Sequence, residues 1–212
     1  MIKKKERKQE KMEEIKYEYV KTPLDYQITE YDCGTTTLLN ALRYLFKRKE
    51  ISPEVYKFIM QYTLDSTNEK GENCKGGTSI YALEFLANWL NDNAKSKQMP
   101  LLCEVLKHEE VAINSEKLKE HMRQGGIAIL RVWQDCEHYV LLTKLDEEYG
   151  YVFDPYYLDI HQYDGDPDCE IIKDRPFEYN RKIKRSRFEE EGTKDFTLVK
   201  GKNQEMILIK KV

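Results

Sequence analysis

The chain has 212 residues, and 40% of them are hydrophobic, with 15 Tyr and 7 Phe; this supports a buried core although 34% are charged. A net charge of −3 argues against nucleic acid as a partner, and no apolar run approaches the roughly 18 residues that a membrane span needs. Five scattered cysteines, Cys33, Cys74, Cys103, Cys136 and Cys169, form no Cys-x-x-Cys pair, so a reducing, cytoplasmic setting is expected and no disulfide framework.

Residues 1–20 are dominated by Lys, Glu, Arg and Gln and read as a charged, solubilising N-terminal extension. The rest, 21–212, shows no repeat or low-complexity linker and reads as one domain. From Cys33 to Phe46, Leu38, Leu39, Leu42, Leu45 and Phe46 recur at helical spacing. Ser52-Pro53-Glu54 opens a second helix, with Ser52 as its cap. A third is expected after Gly76-Gly77, capped by Thr78, with Leu83, Leu86, Ala87 and Leu90 on its core face. The polar stretch from Asp65 to Gly77 between them reads as a substrate-facing loop.

Beyond Pro100 the pattern changes. Leu101 to Leu106 predicts a strand, and Ser115 to Gln124 a capped helix ending at Gly125-Gly126. Ile127–Trp133, His138–Leu145 and Tyr151–Asp154 predict an antiparallel meander. Residues 156–195 show little periodicity and are expected to hold loops and one short element. Phe196–Val199 and Met206–Ile209 then predict two further strands. Helices first and strands later, without βαβ alternation, indicate an α+β fold.

The chemistry gathers around Gln27-Ile28-Thr29-Glu30-Tyr31-Asp32-Cys33-Gly34. A cysteine in the first turn of a helix sits at the positive end of the helix dipole, which favours the nucleophilic thiolate. Gly34 leaves the backbone N–H groups there open to a substrate. Gln27 is six residues upstream, able to set its amide beside the Cys33 N–H as an oxyanion site. Of four histidines, His138 stands at the mouth of an apolar strand and suits a general base. If the strands on either side of the 146–150 turn pair, Asp154 comes to the same end and can orient the ring. His108, His121 and His161 are expected to be exposed. Tyr26, Tyr31, Tyr139, Tyr151, Tyr156 and Tyr157 flank these segments and either line a peptide groove or are ordinary half-buried aromatics.

Gln-x5-Cys-Gly before a helix, followed by His138-Tyr139-Val140 and later Asp154-Pro155, resembles the C39 peptidases of the papain-like cysteine protease superfamily. The resemblance is strongest over residues 22–160. It implies a papain-like fold in which the nucleophile helix packs on an antiparallel sheet. It also implies Cys33 as nucleophile, His138 as base, Asp154 as orienter and Gln27 in the oxyanion hole. The best-known members sit on bacteriocin exporters and remove double-glycine leader peptides. The spans and nucleotide-binding domain of those exporters have no counterpart in these 212 residues, and no Gly-x4-Gly-Lys-Ser/Thr motif occurs. A stand-alone domain is therefore expected.

The activity these residues indicate is a cysteine peptidase or amide hydrolase working through an acyl-thioester on Cys33. Its substrate is a peptide or protein, such as one bearing a glycine-containing leader or tail. Two alternatives stay open: a catalytically silent peptide-binding module, and an acyltransferase using the same triad. No metal or organic cofactor is called for; Cys136, His138 and Cys169 match no common zinc spacing.

Overall fold

A computed structural model describes residues 22–97, 100–156 and 159–212. The charged extension expected over residues 1–20 lies outside the described residues, as does Tyr157.

Three α-helices come first among the described residues. α1 (Cys33–Leu45) is buried along most of its length, and its three consecutive threonines are each accounted for by a hydrogen bond. Thr35 Oγ1 donates to Thr63 Oγ1 (2.7 Å), Thr36 Oγ1 to Asp32 Oδ2 (3.2 Å) and Thr37 Oγ1 to the Tyr139 carbonyl (3.0 Å). These bonds let β-branched polar residues sit in a buried helix turn without an unpaired hydroxyl. α2 (Pro53–Tyr62) starts where expected, with Ser52 Oγ accepting the Glu54 N–H. α3 (Ile80–Lys97) is capped one residue later than expected. Ser79 Oγ accepts the Ala82 N–H, while Thr78 Oγ1 turns back to accept the Leu64 N–H.

Among the described residues, seven antiparallel strands form one sheet: β1 (Leu101–Lys107), β2 (Ile127–Gln134), β3 (Cys136–Leu145), β4 (Tyr149–Phe153), β5 (Cys169–Ile171), β6 (Arg181–Lys184) and β7 (Glu205–Lys211). Their order is β1-β7-β2-β3-β4-β6-β5, so the last strand lies between the first two. Among the described residues there are two further α-helices, α4 (Glu116–Arg123) and α5 (Arg185–Glu189). The architecture is α+β, with α1 against β2 and β3.

Alternate residues along the strands feed two apolar cores. Ile127, Ile129, Leu141, Phe153, Ile207 and Ile209 pack with α1, α2 and α3. Ala128, Leu130, Val140, Leu142, Val152, Met206 and Leu208 pack with α4 and α5. The period-2 alternation of a strand therefore serves two apolar faces here, which explains the nearly unbroken hydrophobicity of β2 and β3.

Residues 156–195 differ from expectation. They hold β5, β6 and α5 rather than one short element. β6 is four residues long and exists because Val152–Tyr149 and Cys169–Ile171 pair on its two sides, a support that no local pattern reveals. Phe196–Val199 is not a full strand. Only Val132↔Leu198 forms a bridge, beside the half of β2 that β7 does not cover, and Phe196 takes a positive φ of 67° that breaks the extended run.

Candidate active site

Cys33 is the first residue of α1, and what remains exposed of it opens into a cleft of about 530 Å³. The loop before it is folded by Asp32, whose carboxylate accepts the N–H groups of Ile28 (3.0 Å) and Thr29 (2.6 Å) and the hydroxyls of Thr29 and Thr36. Burial works to raise the Asp32 pKa, and these four donors lower it below the usual carboxylate range. Asp32 therefore determines the path of the Gln27–Tyr31 segment.

His138 lies near the start of β3 and is almost fully buried. Leu141 pairs with Phe153, so the residue after β4, Asp154, falls on the line of Val140 and beside His138 diagonally. His138 Nε2 is 2.9 Å from Asp154 Oδ1. The ring and the Cys33 thiol are close enough for the charge of each to stabilise that of the other, and with Nε2 on Asp154 the free ring nitrogen is Nδ1. Cys33, His138 and Asp154 thus form one interacting line across α1, β3 and the end of β4, with a hydrogen bond between the last two.

The electrostatics separate Cys33 from the other buried thiols. Burial alone pushes Cys103 up to about 12, and burial, only partly offset by the Arg181 and Arg187 charges, does the same to Cys169. Cys33 is buried as well, yet the His138 charge, the contact with its ring and the N–H groups of Tyr139 and Gly34 outweigh burial and lower its pKa. Burial likewise opposes a charge on His138, and the Cys33 charge and the Asp154 hydrogen bond overcome it, holding His138 up at about 10. Both shifts favour thiolate and imidazolium together.

Asp154 is fully buried and held from four directions. Besides His138 Nε2, Oδ1 accepts the Tyr156 N–H (2.8 Å), and Oδ2 accepts Gln134 Nε2 (3.0 Å) and Arg181 Nη2 (3.0 Å). Asn180 fixes its backbone, accepting the Asp154 N–H at Oδ1 (2.7 Å) and donating to its carbonyl (2.8 Å). Burial would raise this carboxyl, but its bonds to His138 and the Arg181 charge keep it ionised. Arg181, Asn180 and Gln134 escaped the reading of the sequence. A single buried arginine in a four-residue strand leaves no periodic trace, and only the β4–β6 pairing brings it to Asp154.

Gln27 lines the same cleft. Its N–H bonds the Pro155 carbonyl (2.8 Å) and its Nε2 donates to the Thr29 carbonyl (2.6 Å), while Oε1 is buried without a hydrogen-bond partner among the described residues. The space over Gly34 is occupied by Thr78 and Tyr139. A Cβ there would lie 2.7 Å from Thr78 Cβ and 3.1 Å from Tyr139 Cδ2, so the glycine admits the α3 approach rather than open solvent.

Tyr139 forms part of the cleft floor but is 2% exposed. Its hydroxyl donates to Glu205 Oε2 (3.0 Å) and accepts from Arg131 Nη1. Tyr31 and Tyr156 line the cleft, with Tyr156 edge-on to His138 at 6.3 Å. Tyr26 packs instead on Phe153, and Tyr151 on Tyr179. The 65–77 loop contributes Lys75, Gly76 and Gly77 to the wall.

Of the remaining histidines, His108 and His161 are exposed, but His121 is buried, contrary to expectation. Its Nε2 reaches the carbonyls of Ile127 (3.0 Å) and Ile209 (3.1 Å), and Gly126 makes room for the ring. Among the described residues no three acidic, cysteine or histidine side chains are grouped to hold a metal ion, and no helix is long and apolar enough to cross a membrane.

No protein-family model matches the chain, and no curated protein matches it. Among solved structures it is similar to a double glycine motif protease from an AMS/PCAT transporter in complex with the leader peptide. The TM-score is 0.46 at 14% identity, covering 90% of this chain and 91% of that one.

Proposed function

We propose that the protein is a cysteine peptidase or related amide hydrolase of the C39-like, papain-like kind, with residues 21–212 acting as one domain. The observation that carries this reading is the single line from the Cys33 thiol through the His138 ring to the Asp154 carboxylate, opening on a cleft. Cys33 attacks the carbonyl carbon of a peptide or protein substrate as the thiolate. His138, as imidazolium, gives its proton to the departing amine, and the acyl group stays on sulfur as a thioester. His138 then takes a proton from water as that water attacks the thioester, releasing the acid and restoring the thiolate–imidazolium pair. Asp154 holds the ring with Nδ1 toward sulfur throughout. The Cys33 N–H and the second N–H of Gln27 Nε2 stabilise the oxyanion. The five free cysteines are in keeping with a reducing, cytoplasmic compartment.

Labelling with iodoacetamide near neutral pH, read peptide by peptide, tests the reading. Cys33 is expected to react faster than the exposed Cys74, and His138→Ala is expected to bring Cys33 down to or below that rate. Equal labelling of Cys33 in the wild type and in His138→Ala would sink it. Turnover of a peptide library, lost in Cys33→Ala, identifies the substrate.

A further inference from the structure

Arg181 is a fully buried cation, and nothing in the reaction just described uses it. It projects from the first residue of β6, opposite Val152, and its Nη2 lies 3.0 Å from Asp154 Oδ2. The carboxylate of Asp154 is its ion-pair partner among the described residues. The rest of the guanidinium is weakly held: Nη1 reaches its neighbour's carbonyl, Asn180 O, at 3.3 Å, and Nε is buried without a partner. The face of the guanidinium lies 5.7 Å from the Tyr163 ring. A cation buried at this expense is placed for its charge rather than for anchoring β6, since hydrophobic residues anchor a strand at lower cost.

We infer that Arg181 is a positioning residue that balances the charge of Asp154 and thereby sets how tightly His138 holds its proton. Along the line Cys33, His138, Asp154, Arg181 the charges alternate. Their sum is zero with thiol and neutral imidazole, and zero again with thiolate and imidazolium. The buried site is therefore neutral in both protonation states of the Cys33–His138 pair, whereas without Arg181 it would carry a single net negative charge in both. Without Arg181, the buried carboxylate would be uncompensated whenever His138 was neutral, and the ring would be locked as imidazolium. A locked imidazolium is a poor acid toward a leaving amine.

Other charged or titratable groups face this line. The Cys33 thiol, from α1, is removed in the test, whereas Cys136, from β3 beside His138, and the Tyr163 hydroxyl, which lies near Asp154 and donates to Asp195, stay in place. The Cys169 thiol, from β5, senses both Arg181 and Asp154.

The inference rests on the peptidase reading for its meaning but is tested apart from it. The full chain, carrying Cys33→Ala and labelled in its four histidines, is titrated by NMR with and without Arg181→Met. Removing Arg181 is expected to move the His138 midpoint upward by roughly one unit or more, in keeping with the shifts that adjacent charges cause. Arg181→Lys is expected to restore it. An unchanged His138 midpoint in a folded Arg181→Met protein, or a Lys variant that behaves like Met, overturns the role. If Arg181→Met does not fold, the double variant Asp154→Asn/Arg181→Met, which removes both charges, is expected to fold; failure of the double variant as well overturns charge balance in favour of a purely structural arginine. Slow, ordinary alkylation of Cys33 in the wild type would sink the peptidase reading alone, with the His138 titration still deciding on Arg181.

Discussion

His138 and Asp154 meet at 2.9 Å across the open end of the β3–β4 hairpin, although sixteen residues separate them in the chain. The pairing Leu141↔Phe153 puts both side chains at one end of the hairpin, and burial of both excludes water from the bond. Asp154→Asn keeps the shape and removes the charge. Peptidase turnover is expected to fall about 10³–10⁴-fold, as when a triad acid is neutralised. The same substitution strips Arg181 of its counter-charge, so urea unfolding should show a loss of about 3–5 kcal/mol. A stable and active Asn variant would contradict both roles.

The pH dependence follows from opposite shifts on two neighbours. Cys33 is lowered, so its thiolate is present above its folded pKa and is lost as pH falls through that value. His138 is held up at about 10, so its imidazolium is present below that value and is lost as pH rises through it. Turnover should therefore persist below the ordinary thiol range and decline as pH rises through about 10. A profile of turnover against pH that rises only where a free cysteine ionises would refute the coupling.

Glu205 offers a stability test away from the chemistry. Burial raises its pKa to about 7, against the pull of the Tyr139 hydroxyl and the Arg131 charge. A raised carboxyl binds its proton more tightly when folded. Its contribution is full below the unfolded value of about 4.3 and is lost as pH rises through about 7. Glu205→Gln can still accept the Tyr139 hydroxyl and has no charge to bury. Above pH 7 the variant should be more stable than wild type by up to about 3 kcal/mol, with the gain vanishing in acid. Chemical denaturation across pH measures this; a Gln variant weaker than wild type at alkaline pH would be the contrary result.

Gly34→Ala tests the fit of α1 to the α3 entry. The added Cβ would meet Thr78 at 2.7 Å and Tyr139 at 3.1 Å, in a place where neither can retreat easily. A cost of about 1–3 kcal/mol is expected, seen as a lower Tm, with slower Cys33 labelling because α1 must shift. An unchanged Tm would show that the helix entry is loosely packed.

The sequence alone determined α1, α2, α4, β1 and the β2–β3–β4 meander, because each has a local periodic or capping signal strong enough to stand without its neighbours. It also picked out Cys33, His138, Asp154 and Gln27, since a cysteine opening a helix and a histidine opening an apolar strand are chemical as well as structural signals. Only the tertiary structure decided how Asp154 is held. Gln134, Asn180 and Arg181 reach it from β2, the turn before β6 and β6, and β6 itself exists through pairing with strands far away in sequence. The burial of His121 and the use of Gly34 belong to the same kind, fixed by what packs against them. A residue's chemistry is written in its type and near neighbours, whereas its charge partner is set by contacts between distant segments, which have no local periodicity to read.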